Sequence, residues 1–286
     1  MRARIATIVR KELTSAIRSR MLWGTVVALI LMGTSSTLNM YVGPASPASL
    51  GVVAENIPLH LYRFLPVVGL LTGYKAVVGE RESGSIRFLL GLPTTHHEVL
   101  IGKFLGRSAV LTVVVVTTIT ILVAESIALY GGVAAFELFV HAILLLIYGL
   151  VWTGIAVGIS AMVMSRFRAV AIVFGLYAVT HFFWQHHVLP IAAYLFTGTV
   201  STSGLRPIAT AQGPTWYLYV QRLNPVRSYQ YSRALLSELL RSKSTTQVWV
   251  YLVDSPEYMF GFGMLFLWLV VPLFVGYLRF RSVEIR

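Results

Sequence analysis

The chain has 286 residues, of which 56% are apolar and only 12% are charged, and its formal net charge is +12. Soluble proteins carry about 25% charged residues, so this composition excludes an ordinary water-soluble protein. Six spans of about 20 residues each leave room for loops but not for a separate globular catalytic domain. Cysteine is absent, which excludes disulfides and thiolate metal sites. We expect the excess of basic residues to face anionic lipid and not nucleic acid.

The N-terminus combines six basic residues in the first 20 positions with apolar residues at helical spacing. The apolar positions are Ile5, Ile8, Val9, Leu13, Ala16 and Ile17. This pattern predicts a helix over residues 1–20 that lies in the membrane interface and bends into the first span. The apolar run that follows has no small-residue cleavage site, so we expect an uncleaved span and not a signal peptide.

Apolar runs long enough to cross a bilayer predict six transmembrane helices. They lie at about 21–40, 57–78, 104–130, 136–164, 169–189 and 258–277. With both termini inside, 16 of the 23 Lys and Arg residues fall on the cytoplasmic side, as the positive-inside rule requires. We therefore predict an all-α integral protein of the cell (plasma) membrane. It forms a single transmembrane domain over residues 1–286, with both termini cytoplasmic.

A long extracytoplasmic loop is predicted over residues 190–257. A break near Pro190 is expected, because a helix continuing to residue 200 would exceed the thickness of the hydrocarbon. A short re-entrant or interfacial piece would follow that break. Further along, Asn224 and Pro225 predict the N-cap and first turn of an outer helix.

The cytoplasmic loop over residues 79–103 reads GERESGSIRFLLGLPTTHHEVLIGK. Gly84 and Pro93 interrupt it, and Thr95 with Glu98 predicts a capping box that opens the next helix. Between them lies a short apolar face, made up of Ile86, Leu89 and Leu90. The pattern predicts a small amphipathic helix, and an apolar face on the water side of a membrane needs a partner surface.

Two pairs of small residues lie four positions apart, Gly69 with Gly73 and Gly154 with Gly158. Such pairs allow close approach of helices. From the sequence, either packing within one subunit or a homodimer contact fits them.

Histidines cluster near the outer end of the fifth predicted span, at His181, His186 and His187. Neutral imidazoles are ligands for copper or zinc, but the neighbouring sequence offers no acidic or sulfur ligand. An interfacial aromatic belt explains the same residues, because Phe and Trp are interleaved with them. We favour the belt and predict no metal site.

Several activities are disfavoured by the sequence itself. The phosphate-binding pattern G-x-x-x-x-G-K-[ST] is absent at Gly102 and Lys103, where His97 replaces the leading glycine and Phe104 follows the lysine. A proton-coupled secondary transporter is disfavoured, since no predicted span has an ionisable residue at its centre. We therefore expect that the chain is not an enzyme.

The cytoplasmic loop carries a family resemblance. Its motif residues are Glu80, Arg81, Glu82, Gly84, Ser85, Leu89, Leu90, Pro93, Gly102, Lys103 and Gly106. They resemble the E-[RK]-E-x-G-[ST] … P … G-K-x-x-G stretch of permease subunits of ABC-2-type ABC transporters. The layout of a basic N-terminal helix, six spans and a large outer loop is similar as well. Within the family the chain looks most similar to the NosY-like branch, which includes the permease of nitrous oxide reductase maturation.

The resemblance implies that two permease subunits, taken as identical, pair as a homodimer and that each docks one of two cytoplasmic ABC ATPase subunits. ATP and Mg would be bound by the ATPase, and this chain would hold no cofactor. Residues 80–92 would then form the coupling helix. In that helix Glu80, Arg81 and Glu82 would pair with the ATPase, Gly84 would permit the turn, and the apolar face would fill a groove. The alternative is a non-transporting membrane anchor or assembly protein that recruits a cytoplasmic partner.

Overall fold

The computed structural model describes residues 2–43, 48–85, 95–200, 214–241 and 256–283, and every regular element within these ranges is helical. The first six helices are α1 (Arg2–Ile17), α2 (Arg20–Val42), α3 (Leu50–Leu61), α4 (Leu65–Gly73), α5 (Val78–Glu82) and α6 (His96–Tyr130). Next come α7 (Ala135–Met162), α8 (Arg166–Ala178), a π-helix (Val179–Val188) and α9 (Leu189–Thr197). The last three are α10 (Thr215–Leu223), α11 (Pro225–Arg241) and α12 (Pro256–Val283).

Five described helices are long and apolar enough to cross a membrane. They are α2, α6, α7, the continuous stretch Arg166–Thr197, and Met259–Ser282 within α12. The pair Leu50–Leu61 and Leu65–Glu82, bent by 41°, makes a sixth when it is taken as one span. The prediction of an all-α integral membrane fold is therefore confirmed.

The second span begins earlier than the apolar run over 57–78 indicates, and it is bent. The bend lies between α3 and α4, where Pro66 occupies the first turn of α4. Proline has no N–H and cannot donate to the carbonyl four residues back, here that of Tyr62. An uninterrupted helical ladder therefore cannot form across this position.

The predicted break near Pro190 is wrong. The chain continues without interruption from α8 through the π-helix into α9, over Arg166–Thr197. Pro190 lies in the first turn of α9, a position where the fixed φ and the missing N–H of proline are tolerated. The helix departs from regular α geometry only in the ten π-helical residues that precede Pro190, and the chain makes no turn there.

The described helices form two compact units. The first contains Met1–Val173 and Leu269–Arg286, and the second contains Phe174–Trp268. Among the five continuous spans, α7, which lies in the first unit, is the most buried, since 72% of its apolar window lies inside the protein. It packs on α4 and on the C-terminal part of α12.

The two glycine pairs explain how closely these helices approach. A Cβ atom added to Gly69 would lie 2.9 Å from the Cβ of Trp152, and one added to Gly73 would lie 2.7 Å from the Cβ of Ala156. On another part of α7, Gly154 faces Leu269 and Gly158 faces the backbone of Pro272. All four contacts lie within one chain and join α7 to α4 and to α12.

In the second unit, α11 begins as the sequence predicts. The side-chain oxygen of Asn224 accepts a hydrogen bond from the backbone N–H of Val226 at 2.8 Å, so the predicted N-cap is confirmed. The amide nitrogen of Asn224 donates to the carbonyl of Thr180 in the π-helix at 2.7 Å. Helix α10, which precedes this cap, has no counterpart among the predicted elements.

Candidate functional site

Helix α5 contains the charged residues that open the predicted coupling loop. Its start is fixed by Ser160, near the end of α7, whose hydroxyl oxygen accepts hydrogen bonds from the backbone N–H groups of Val77 at 3.0 Å and Val78 at 3.1 Å. The first N–H groups of a helix have no partner within that helix. A buried serine supplies the acceptor and anchors α5 to α7.

Arg81 joins α5 to the C-terminus of α7. Its Nη1 atom donates hydrogen bonds to the carbonyl oxygens of Ala161 and Val163, each at 2.9 Å. Carbonyls at this end of a helix have no helical partner and carry partial negative charge, so a cation is favourable there. The Arg81 guanidinium also lies 5.0 Å from the ring centroid of Phe280 in α12, within range of a cation–π contact.

Glu82 joins α5 to the N-terminus of α8. One carboxylate oxygen accepts a hydrogen bond from the backbone N–H of Arg166 at 2.6 Å, and the other lies 2.7 Å from the Nε atom of the same arginine. Arg166 also donates from Nη2 to the carbonyl of Gly79 at 3.2 Å. An acidic side chain at a helix N-terminus is stabilised by the helix dipole, so α5 bridges the end of α7 and the start of α8.

Glu80 belongs to an ionic network made up of Lys11, Glu12, Glu80, Lys103 and Arg107. The Lys103 Nζ atom lies 2.8 Å from a Glu80 oxygen and 3.2 Å from a Glu12 oxygen. The other Glu12 oxygen lies 2.7 Å from Arg107, and Lys11 lies 3.6 Å from Glu80. Lys103 and Glu12 are almost fully buried, so each charge depends on its partners, because an unpaired buried charge is strongly unfavourable.

The G-K-x-x-G stretch explains how α1 reaches this network. A Cβ atom on Gly102 would lie 3.0 Å from Ile8, and one on Gly106 would lie 2.7 Å from the Cβ of Glu12. The two glycines therefore let α1 lie directly on α6, and Lys103 between them forms the ion pair. In this chain the G-K-x-x-G stretch of α6 is therefore the surface on which α1 packs.

Helix α1 runs alongside the first turns of α6 in the same direction. Arg4 lies 3.8 Å from Glu98, Ile8 faces Gly102, and Glu12 faces Gly106, so each contact advances four residues on both helices. Part of the apolar stripe predicted to face lipid, including Ile8 and Ala16, is buried. The interfacial location of α1 remains a prediction.

The predicted capping box at the start of α6 is confirmed. The Thr95 hydroxyl accepts from the N–H of Glu98, and the Glu98 carboxylate accepts from the N–H of Thr95 at 2.9 Å. Glu98 also pairs with Arg4, so the segment that follows the loop is held by α1, just as Glu80 is held before the loop.

Only part of the predicted coupling helix lies in the described residues. Gly84 has a φ of 72°, in the left-handed region that glycine adopts without strain, and it ends α5. The Ser85 hydroxyl lies 2.9 Å from that of Ser83. Ile86, Leu89, Leu90 and Pro93 lie outside the described residues, so the apolar face remains a prediction.

Sequence reasoning missed Glu12, Ser160 and Arg166 as parts of this site. A local signal was available for Glu12, because it lies four residues from Ile8 and four from Ala16, on the apolar face of its own helix. Ser160 and Arg166 are separated from α5 by about 80 positions. A single sequence offers no local pattern for such contacts.

The histidines of the second unit lie beside aromatic rings. The His181 ring lies against that of Tyr177 with centroids 4.1 Å apart and planes tilted by 32°, and the His187 ring centroid lies 5.3 Å from that of Phe183. Among the residues that the structure describes, no group of three or more His, Asp or Glu side chains is arranged to hold a metal ion. Gln185, one turn from His181, accepts a hydrogen bond from Gln221 at 3.2 Å.

The helical spans define a multi-pass membrane protein in which the end of the second span and the start of the third are each fixed to neighbouring helices. The chain belongs to the ABC-2 family of transporter proteins, whose family model, ABC-2 family transporter protein, matches residues 6–285.

Two curated relatives are similar over part of the chain. Each carries the name "Probable ABC transporter permease protein NosY". The one from Pseudomonas aeruginosa is 33% identical over 111 residues, which is 37% of this chain and 39% of the relative. The one from Stutzerimonas stutzeri is 32% identical over 117 residues, 38% of this chain and 40% of the relative. The matched region thus spans about two-fifths of each relative.

Proposed function

We propose that this chain is the permease subunit of an ATP-binding cassette exporter, driven by ATP hydrolysis in a separate ATPase subunit. Two copies would pair in the cell membrane with their termini in the cytoplasm, and each would dock one ATPase. ATP and Mg would be bound by the ATPase alone, and this chain would act as a mechanical element and not as an enzyme. Family membership and the names of the two relatives support this assignment.

The observation that carries the proposal is the anchoring of both flanks of residues 86–94. Before this segment, Glu80, Arg81 and Glu82 reach α1, α6, α7, α8 and α12. After it, Thr95 caps α6, and Glu98 in the first turn pairs with Arg4 of α1. A displacement of the segment would therefore act on several helices at once, as a coupling element requires.

Glu80, Arg81 and Glu82 would contribute to coupling by holding the loop rigidly against the neighbouring helices. Because each is paired within the chain, a force on the loop is transmitted through charge-assisted hydrogen bonds, which are stronger than neutral ones. Direct pairing of Glu80, Arg81 and Glu82 with the ATPase remains a prediction. ATP-driven closure of the ATPases would then shift the equilibrium between inward-facing and outward-facing arrangements.

Two substitutions in the loop test the coupling, and each has a matched control. Gly84→Trp and Glu82→Ala should leave the chain inserted in the membrane but lower the ATP hydrolysis that it stimulates in the assembled complex. Gly131 has a φ of 76° and, like Gly84, has no neighbour near an added Cβ, so Gly131→Trp matches the first variant. Glu137→Ala, in the first turn of α7, matches the second.

The measurement is the rate of ATP hydrolysis by the complex purified in mild detergent, compared with that of the isolated ATPase. Equal losses in a loop variant and its control would reject the coupling role. Failure of the wild-type chain to recover an ATPase with Walker A and LSGGQ-type motifs would favour the membrane anchor instead.

Because the chain has no cysteine, one introduced thiol also gives an unambiguous test of docking. Ser85→Cys, labelled with a maleimide–benzophenone reagent whose second group inserts into nearby C–H bonds on illumination, should form a cross-link to the ATPase, whereas Ala135→Cys, the first residue of α7, should not. Absence of the cross-link at Ser85 in an active complex would contradict docking at this loop.

A further inference from the structure

A cavity of about 240 Å³ lies where α1, α2, α4 and α6 meet. It lies in the first compact unit, beside the ionic network, with Arg107 common to both. The coupling contacts make no use of this space.

Two cations line the cavity. Lys75 follows the end of α4 and is exposed, and Arg107 lies on α6. None of the described residues that line it is acidic. The adjoining ionic network contains three cations (Lys11, Lys103 and Arg107) and two carboxylates (Glu12 and Glu80), so it leaves one positive charge in excess.

The lining changes from basic to apolar along the helices. On α6, Val110 and Val114 lie about 5 Å and about 10 Å beyond Arg107, at 1.5 Å per residue. On α4, Val68 and Leu71 precede Lys75. The end of α4 and the beginning of α6 flank the same loop, so the two cations lie at the same end of the cavity and the apolar residues lie deeper in the span.

Hydroxyl groups also line the cavity. Thr25 and Thr72 donate to carbonyls of their own helices, at 2.8 Å and 2.9 Å. Ser15 lies in the last turn of α1, and Ser19 is the N-cap of α2. Two cations at one end, with an apolar wall and the hydroxyls of Thr25 and Thr72 beyond them, match a phosphate-bearing head group followed by the glycerol esters and a hydrocarbon chain. Basic pockets between transmembrane helices bind anionic lipid head groups in this way.

We propose that this cavity binds one acidic phospholipid, with its phosphate at Lys75 and Arg107 and an acyl chain along Met21 and Leu71, apolar lining residues that keep exposed surface. The apolar wall favours a lipid over a free anion, which would leave that wall facing water. The charge excess favours an acidic lipid over a zwitterionic one. The proposal depends on the membrane location of the chain and not on its coupling to an ATPase.

Native mass spectrometry of the purified full chain tests the site, with phosphatidylglycerol and phosphatidylcholine of identical acyl chains as probes. The wild-type chain should retain one phosphatidylglycerol in preference to phosphatidylcholine. Lys75→Gln should weaken the binding of phosphatidylglycerol about fivefold, the effect of one basic residue at an anionic lipid surface. Arg18→Gln removes a nearby exposed charge that does not line the cavity and should retain the wild-type preference.

A second pair of variants tests occupancy without altering charge. Thr25→Phe would fill part of the cavity and should abolish the bound lipid. Val27→Phe, on the exposed face of the same helix, should not.

Three results would overturn the proposal. One is equal retention of the two lipids by the wild-type chain, and another is unchanged binding in both Lys75→Gln and Thr25→Phe. The third is displacement of phosphatidylglycerol by glycerol phosphate at the same concentration, which would identify a site for a free anion.

Discussion

At the scale of single residues, the charged side chains at the end of the second span bind either to the ends of neighbouring helices or to side chains of opposite charge. Arg81 meets carbonyls at the C-terminus of α7, and Glu82 meets an amide at the N-terminus of α8. Each charge has the sign that the neighbouring helix dipole favours. The sequence E-R-E thus places two opposite charges against two opposite helix ends.

The contact between α1 and α6 depends on the absence of a side chain at Gly106. We expect Gly106→Leu to destabilise the protein by about 1–3 kcal/mol, the usual cost of overpacking, because the added Cβ would lie 2.7 Å from Glu12. Gly24→Leu is the matched control, since nothing lies near an added Cβ at that position. Thermal unfolding in detergent should show a lower midpoint for Gly106→Leu alone, and equal midpoints would contradict the packing.

At the scale of elements, one asparagine contributes both to the start of α11 and to its contact with the π-helix. Asn224 both caps α11 and donates to the carbonyl of Thr180, so its side chain joins two elements that are 44 positions apart in sequence. An unpaired carbonyl in a π-helix would be costly in a buried setting.

Replacement of this asparagine should therefore cost more than the loss of an ordinary cap. Asn224→Ala removes an N-cap, worth about 1 kcal/mol, and leaves the buried Thr180 carbonyl with one bond fewer. We expect a lower unfolding temperature than for Asn39→Ala, which alters an exposed asparagine of α2. Equal temperatures would show that the asparagine bonds contribute nothing to stability.

The sequence correctly predicted the features that depend on residues close together in the chain. The capping box at Thr95 and the N-cap at Asn224 depend on residues within three positions of each other, and both are confirmed. The bend before α4 and the continuity past Pro190 were not predicted. Proline fixes its own φ angle and removes one hydrogen-bond donor. Whether the helix bends there or continues depends on its packing against other helices.

At the scale of the whole molecule, the sequence predicted the all-α membrane fold because the length of each apolar run is read directly from the order of the residues. It did not predict the ionic network, because Glu12 and Lys103 are 91 positions apart. The loop motif located the charged residues of the site, and only the folded chain shows that their partners are helices of the same polypeptide.

The predicted topology is testable because the chain has no cysteine of its own. In intact cells, a membrane-impermeant maleimide should label Ala135→Cys from outside and leave Ser85→Cys unlabelled, since an odd number of spans separates the two positions. After permeabilisation, both should be labelled. Labelling of Ser85→Cys alone in intact cells would reverse the assigned orientation.

The length of α6 has a mechanical consequence. At 1.5 Å per residue its 35 residues extend about 52 Å, whereas the hydrocarbon is about 30 Å thick, so the helix overhangs the bilayer. A change in tilt of about 10°, well within the range of transmembrane helices, would swing its first turn through about 4 to 5 Å. Because α1 packs on the part of α6 that extends beyond the bilayer, α1 would move together with the first turns of α6.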